Sequence, residues 1–139
     1  MKNYTGNTID VGFQFGIRRT FPVTTTEAWD IVFLEEGRRI WLGETDNELE
    51  PYKSFATKEG IIGSVRVIKP GAHIRLNWTK RGWENMSRVQ LRIIENQGRA
   101  TISFHHEKLL NIDQREEVKA YWNMKIRELG ELIRARGKG

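Results

Sequence analysis

His105, His106 and Glu107 are the densest cluster of groups able to move a proton or hold a metal. They fall in a run with strand character, where neighbouring side chains point to opposite faces, so the two imidazoles cannot grip one ion together. His73 opens another strand on the face of His105, and no third ligand stands near it. The zinc-protease pattern His-Glu-x-x-His is absent. The 139 residues contain no cysteine, which excludes disulfides, thiolate metal sites and cysteine nucleophiles. No metal and no cofactor is expected. Ser54, Ser64, Ser87 and Ser103 lack the sharp strand-to-helix setting of an activated serine. No glycine-rich loop leads from a strand into a helix to cradle phosphate. The acid pairs Glu35-Glu36 and Glu116-Glu117 sit in helix first turns or on exposed faces, where the helix dipole favours them. No catalytic residue is assigned, and an enzyme acting on an apolar substrate ranks behind a binding protein.

The elements that position these groups are read from periodicity and punctuation. Val11 to Phe21 alternates, with Phe13, Phe15, Ile17 and Phe21 on one parity, as in a half-buried strand. Thr24, with Glu27 three residues on, is a capping box for a helix bearing Trp29, Val32 and Phe33. Gly37 is read as its break, and Arg38 to Leu42 as a further short turn. After an acidic loop, a meander follows: Tyr52 to Thr57, Ile61 to Ile68, His73 to Thr79, Ser87 to Glu95 and Arg99 to Leu109. Lys58-Glu59-Gly60, Pro70-Gly71 and Gln97-Gly98 mark turns, and Lys80 to Met86 a longer loop.

Two-residue turns at Pro70-Gly71 and Gln97-Gly98 would pair Val67 with Ile74 and Ile93 with Ile102. The resulting rows are Val65–Leu76–Leu91–Phe104, Val67–Ile74–Ile93–Ile102 and Gly63–Trp78–Val89–His106. The opposite face carries Arg66, Arg75, Asn77, Arg88, Gln90, Arg92, Thr101, Ser103 and His105. A sheet so divided must bury its apolar face. Its partner is the C-terminal segment from Asp113 to Arg136, where Val118, Trp122, Ile126, Leu129 and Ile133 recur at spacings of three and four. That is a helix of roughly 36 Å, with Asp113 and Glu116 as a capping-box-like start. Gly130 within it costs about 1 kcal/mol against alanine and suits a close approach to the sheet.

The order of strand, two short helices, meander and long helix resembles the START-like superfamily (SRPBCC), whose fold is the helix-grip. More narrowly, it resembles the bacterial branch related to the C-terminal domain of the activator of the ninety-kilodalton heat-shock chaperone ATPase. The residues carrying the likeness are Glu27-Ala28-Trp29, Ile40-Trp41-Leu42-Gly43 and the glycine-punctuated run from Gly60 to Trp78. They continue with Gly98 to Leu109, which includes His106, and with Arg115-Glu116, Trp122 and Leu129 of the last helix. The resemblance implies an α+β helix-grip: a curved antiparallel sheet of about six or seven strands around a long C-terminal helix, with two short helices after the first strand.

One domain is expected over residues 1–139, with 1–9 and 137–139 flexible. No signal-peptide pattern or membrane-length apolar run is present, which gives a cytoplasmic expectation. The resemblance implies a small hydrophobic or amphipathic ligand in a cavity between sheet and helix. Trp41, Tyr52, Phe55, Leu76, Trp78, Val89, Leu91, Phe104, His106, Trp122, Lys125 and Ile126 are the expected lining. His106 is its informative polar group, satisfied by a ligand or by backbone, water or Lys125. The alternative is a protein-interaction role like that of the chaperone regulator. The formal net charge of +5 permits nucleic-acid binding, but the aromatics fall on the face away from the arginines, so nucleic acid is not the expected partner. The state is expected to be monomer or homodimer.

Overall fold

The computed structural model describes Asn7–Thr8 and residues 12–137. Val11 and most of the ends expected to be flexible lie outside the described residues. In chain order the elements are β1 (Asn7–Thr8), β2 (Gly12–Phe21), α1 (Thr25–Phe33), α2 (Glu35–Trp41), β3 (Ser54–Ala56), β4 (Ile61–Lys69), β5 (His73–Lys80), β6 (Ser87–Asn96), β7 (Arg99–Leu109) and α3 (Ile112–Gly137). The seven strands form one antiparallel sheet in the order β1-β2-β7-β6-β5-β4-β3. α3 packs on its inner face, which makes the α+β helix-grip architecture. No described helix is long and apolar enough to cross a membrane.

The β6–β7 hairpin has the expected register: Val89 opposes His106, Leu91 opposes Phe104 and Ile93 opposes Ile102. Elsewhere two local features move the rows. A bulge between Val65 and Val67 puts Val67 opposite Arg75 and Ile68 opposite Ile74, so Val67 faces solvent and Ile68 packs against the core instead. The β4–β5 connection is accordingly three residues, from Lys69 to His73, not two. The long loop before β6 then sets Leu76 against Val89 and Trp78 against Ser87, two residues from the expected pairing. A slip of two keeps every side chain on its own face, so the hydrophobic pattern cannot register it. The observed rows are Val65–Leu76–Val89–His106–Phe15 and Ile68–Ile74–Leu91–Phe104–Ile17.

The Thr24 capping box forms in full, with the Glu27 amide donating to the Thr24 hydroxyl and the Thr24 amide to the Glu27 carboxylate. The helix break falls at Leu34, whose backbone is extended, and Gly37 lies inside α2. A Cβ on Gly37 would come within 1.6 Å of the Ile31 carbonyl oxygen, so this glycine lets α2 fold back against α1. α3 is capped by Asn111, whose carboxamide oxygen accepts from the Gln114 amide at 2.9 Å, rather than by Asp113. The expected stripe of Val118, Trp122, Ile126, Leu129 and Ile133 is buried, and Gln114 and Gly130 are buried with it.

Candidate functional site

The space under α3, where a cavity was expected, holds aromatic rings in contact. Phe104 stacks on Trp122 with centroids 4.4 Å apart, and Trp78 meets His106 at 4.8 Å and Tyr121 at 5.9 Å. Trp41 leans on Phe104, and its indole N–H donates to the Val32 carbonyl at 2.8 Å. The Tyr121 hydroxyl donates to the Trp41 carbonyl, which ties α3 to the end of α2. Leu76, Val89, Leu91 and Ile126 are buried among these rings, and Phe55 is buried over Gly63 at the β3 edge. Tyr52 is 89% exposed: its left-handed backbone donates to Val65 while the side chain stands in solvent. Lys125 does not reach His106. It pairs with Glu128 at 3.7 Å and lies over the Tyr121 ring.

His106 is fully buried and its partners are both side chains. The Trp122 indole N–H, which only donates, points at Nδ1 at 3.0 Å, so Nδ1 carries the lone pair. Nε2 therefore holds the proton and donates to the Ser87 hydroxyl at 2.7 Å, and Ser87 donates onward to the Trp78 carbonyl. The distance resembles a serine–histidine catalytic pair, but the proton order is reversed: His106 cannot accept the serine proton because its only free nitrogen is occupied. Burial, with a smaller push from His105, lowers the His106 pKa to about 3, which keeps the ring neutral. This is a structural hydrogen-bond chain. Ser87 is not singled out from sequence as a partner because the expected pairing sets Trp78 opposite Val89, and the two-residue slip brings Ser87 there instead. The Trp78 indole N–H, also buried, meets no acceptor among the described residues.

An open space lies elsewhere, at the C-terminal end of α3. A cleft of about 610 Å³ runs between the end of β2, the Pro22-Val23 turn, α1 and the last turns of α3. Phe21, Val23, Ile31 and Ile133 supply its apolar lining, and Arg19, Arg134, Arg136, Glu27 and Asp30 its charged rim. Gly130 shapes it: a Cβ there would stand 3.0 Å from the Phe21 ring, so the glycine lets the helix pass against that ring. The Arg19 guanidinium lies 5.5 Å from the Phe21 centroid, and Arg136 pairs with Glu36 at 3.1 Å. Hydrogen bonds from the Thr24 backbone and hydroxyl lower the Glu27 pKa, so this rim group is a carboxylate at neutral pH. None of the expected lining residues borders this cleft. The sequence signal that leads to it is Gly130, a small residue within a long apolar stripe. Among the described residues, no group of three His, Asp or Glu side chains gathers in a way that could hold a metal.

This arrangement of sheet and helix is the START-like helix-grip fold, and solved structures share it closely. CalU16 from Micromonospora echinospora superposes with a TM-score of 0.77 at 24% identity, over 88% of this chain and 76% of that one. An HSP90 activator from Plasmodium falciparum gives 0.72 at 18% identity, over 89% and 97%. The Aha1 protein of Colwellia psychrerythraea, solved as a dimer, gives 0.71 at 10%, over 85% and 93%. Identities this low carry the fold alone. No protein-family model and no curated protein matches the sequence.

Proposed function

We propose that this protein binds a small amphipathic molecule in the cleft between the end of β2, α1 and the last turns of α3. The observation that carries this reading is the cleft itself. Its size lies within the roughly 300–1,000 Å³ usual for small-molecule sites, and it joins an apolar floor to a charged rim. The interior beneath the middle of α3, by contrast, is filled by Trp41, Trp78, Phe104 and Trp122, each 0–1% exposed. An apolar body would lie on Phe21, Ile31 and Ile133, and a polar head among the rim charges. No reaction is assigned, because the close contact between Ser87 and His106 has its protons directed the wrong way for nucleophile activation.

A dansyl-labelled fatty acid titrated into the protein tests this reading. Saturable one-to-one binding with blue-shifted emission is expected. Val23→Trp, which fills the cleft from a half-buried turn, should weaken binding by at least about tenfold, the equivalent of ~1.4 kcal/mol, with the melting temperature unchanged. The reading fails if wild type shows no saturable binding, or if the variant binds equally well.

A further inference from the structure

The outer face of the sheet has a use that the cleft does not explain. The observed register places Arg75 opposite Gln90, diagonal to both Arg88 and Arg92 on β6. Diagonal neighbours on adjacent strands stand roughly 7–8 Å apart. Arg92 in turn opposes Ser103, which opposes Arg18 on β2. Four guanidinium groups thus share one surface, and Lys69, opposite His73, extends it along β4.

That surface is short of acceptors. Glu107 is the carboxylate within it, and it lies 3.7 Å from Arg88 and 3.9 Å from His105. Among the described residues, Arg18, Arg75 and Arg92 have no carboxylate within 4 Å. Among the same residues, the Nε–H groups of Arg75 and Arg88 meet no acceptor. His73 registers the resulting field: partial burial first, then Arg75, Arg92 and Lys69, lower its pKa. Like charges at diagonal positions on a sheet repel, and the face carries that cost with few internal counter-charges to offset it.

We propose that this face docks an acidic, carboxylate-rich surface of a partner protein, with Arg75, Arg88 and Arg92 at its centre. Arginine suits the task, because its planar fork pairs with carboxylates through two parallel hydrogen bonds. Two features favour a protein over a nucleic acid. Val67 and Ile94, each 37% exposed, flank the arginines on the same face and offer apolar contact. Among the described residues, the face bears no tryptophan, tyrosine or phenylalanine on which a base could stack.

The experiment titrates the intact protein at physiological salt with an Asp/Glu-rich peptide of about twenty residues, and in parallel with polyuridylate and anionic vesicles. Amide shifts read by nuclear magnetic resonance should cluster on β5, β6 and β7 with the peptide. R75E/R92E should weaken peptide binding by at least about tenfold, and R75Q/R92Q, which removes charge without reversing it, by an intermediate factor. R39E/R127E makes the same change in net charge on helices away from this face and should leave affinity within about twofold. Equal loss in the helix variant would overturn the proposal, since net charge alone would then account for binding. So would tighter binding of polyuridylate or vesicles than of the peptide, or no peptide binding at all. Each arm reads a surface remote from the cleft, so the outcome is independent of the ligand reading above.

Discussion

His106 should make the protein strongly acid-sensitive, by an amount the structure sets. In the unfolded chain its imidazole titrates near the ordinary 6.5, and in the folded protein near 3. Between those values the unfolded state binds more protons, so stability falls as pH falls; above 6.5 both states are neutral and the contribution is complete. At ~1.4 kcal/mol per pH unit, the gap amounts to about 5 kcal/mol. That is a large part of the roughly 5–15 kcal/mol that holds a domain folded. Urea unfolding measured from pH 7.5 down to about pH 3.5 should therefore show a steep loss, to which carboxylates also contribute below about pH 5. His106→Leu isolates the histidine. At pH 7 it should be less stable by about 1–3 kcal/mol or more, because the Trp122 indole N–H loses its buried acceptor. Its curve should then run flatter than wild type between pH 6.5 and 4, so the two converge in acid. The His106 ring resonances should stay those of a neutral, Nε2-protonated imidazole down to about pH 4. A ring that titrates near 6.5, or two parallel stability curves, would refute the reasoning.

Other outcomes follow from single contacts. Gly37→Ala should be among the most damaging small substitutions, costing about 3 kcal/mol or more, because its methyl has nowhere to go but into the Ile31 carbonyl; thermal melts measure it. Ser87→Ala leaves the His106 Nε2–H with no acceptor and should cost about 1–3 kcal/mol in chemical denaturation. Tyr121→Phe, which deletes the bond to the Trp41 carbonyl, should cost about 1 kcal/mol, and an unchanged midpoint would discount that tie. Tyr52→Ala, in contrast, should leave stability within about 0.5 kcal/mol, since the side chain stands in solvent.

Much of the architecture is written in local patterns. The alternation of Val89, Leu91 and Ile93 against Ile102, Phe104 and His106 predicts both the hairpin and its register, because a tight turn at Gln97-Gly98 fixes the count. The Val118–Trp122–Ile126 stripe likewise predicts α3 and the face it buries. What escaped were features with no periodic signature. The bulge at Val67 and the slip before Ser87 depend on loop and backbone geometry, and Gly37 reads equally well as a break or as a contact point. The size of the space under the helix depends on how the rings fill it, which composition cannot show: the same five tryptophans would suit a pocket or a packed core. Gly130 hinted at the cleft, but Arg19 and Phe21 reach it through strand pairing alone.

The place of β2 has a bearing on how the polypeptide is made. Its long ladder is with β7, so Thr20 meets Thr101 across 81 positions of sequence, with hydroxyl oxygens 2.7 Å apart. Such distant pairing slows folding, since a large loop must close before any contact compensates it. On the ribosome, β2 waits for β7 to be translated, and the meander keeps its greasy side uncovered until α3 emerges. A chain cut just before α3 should therefore yield aggregates rather than a smaller folded product.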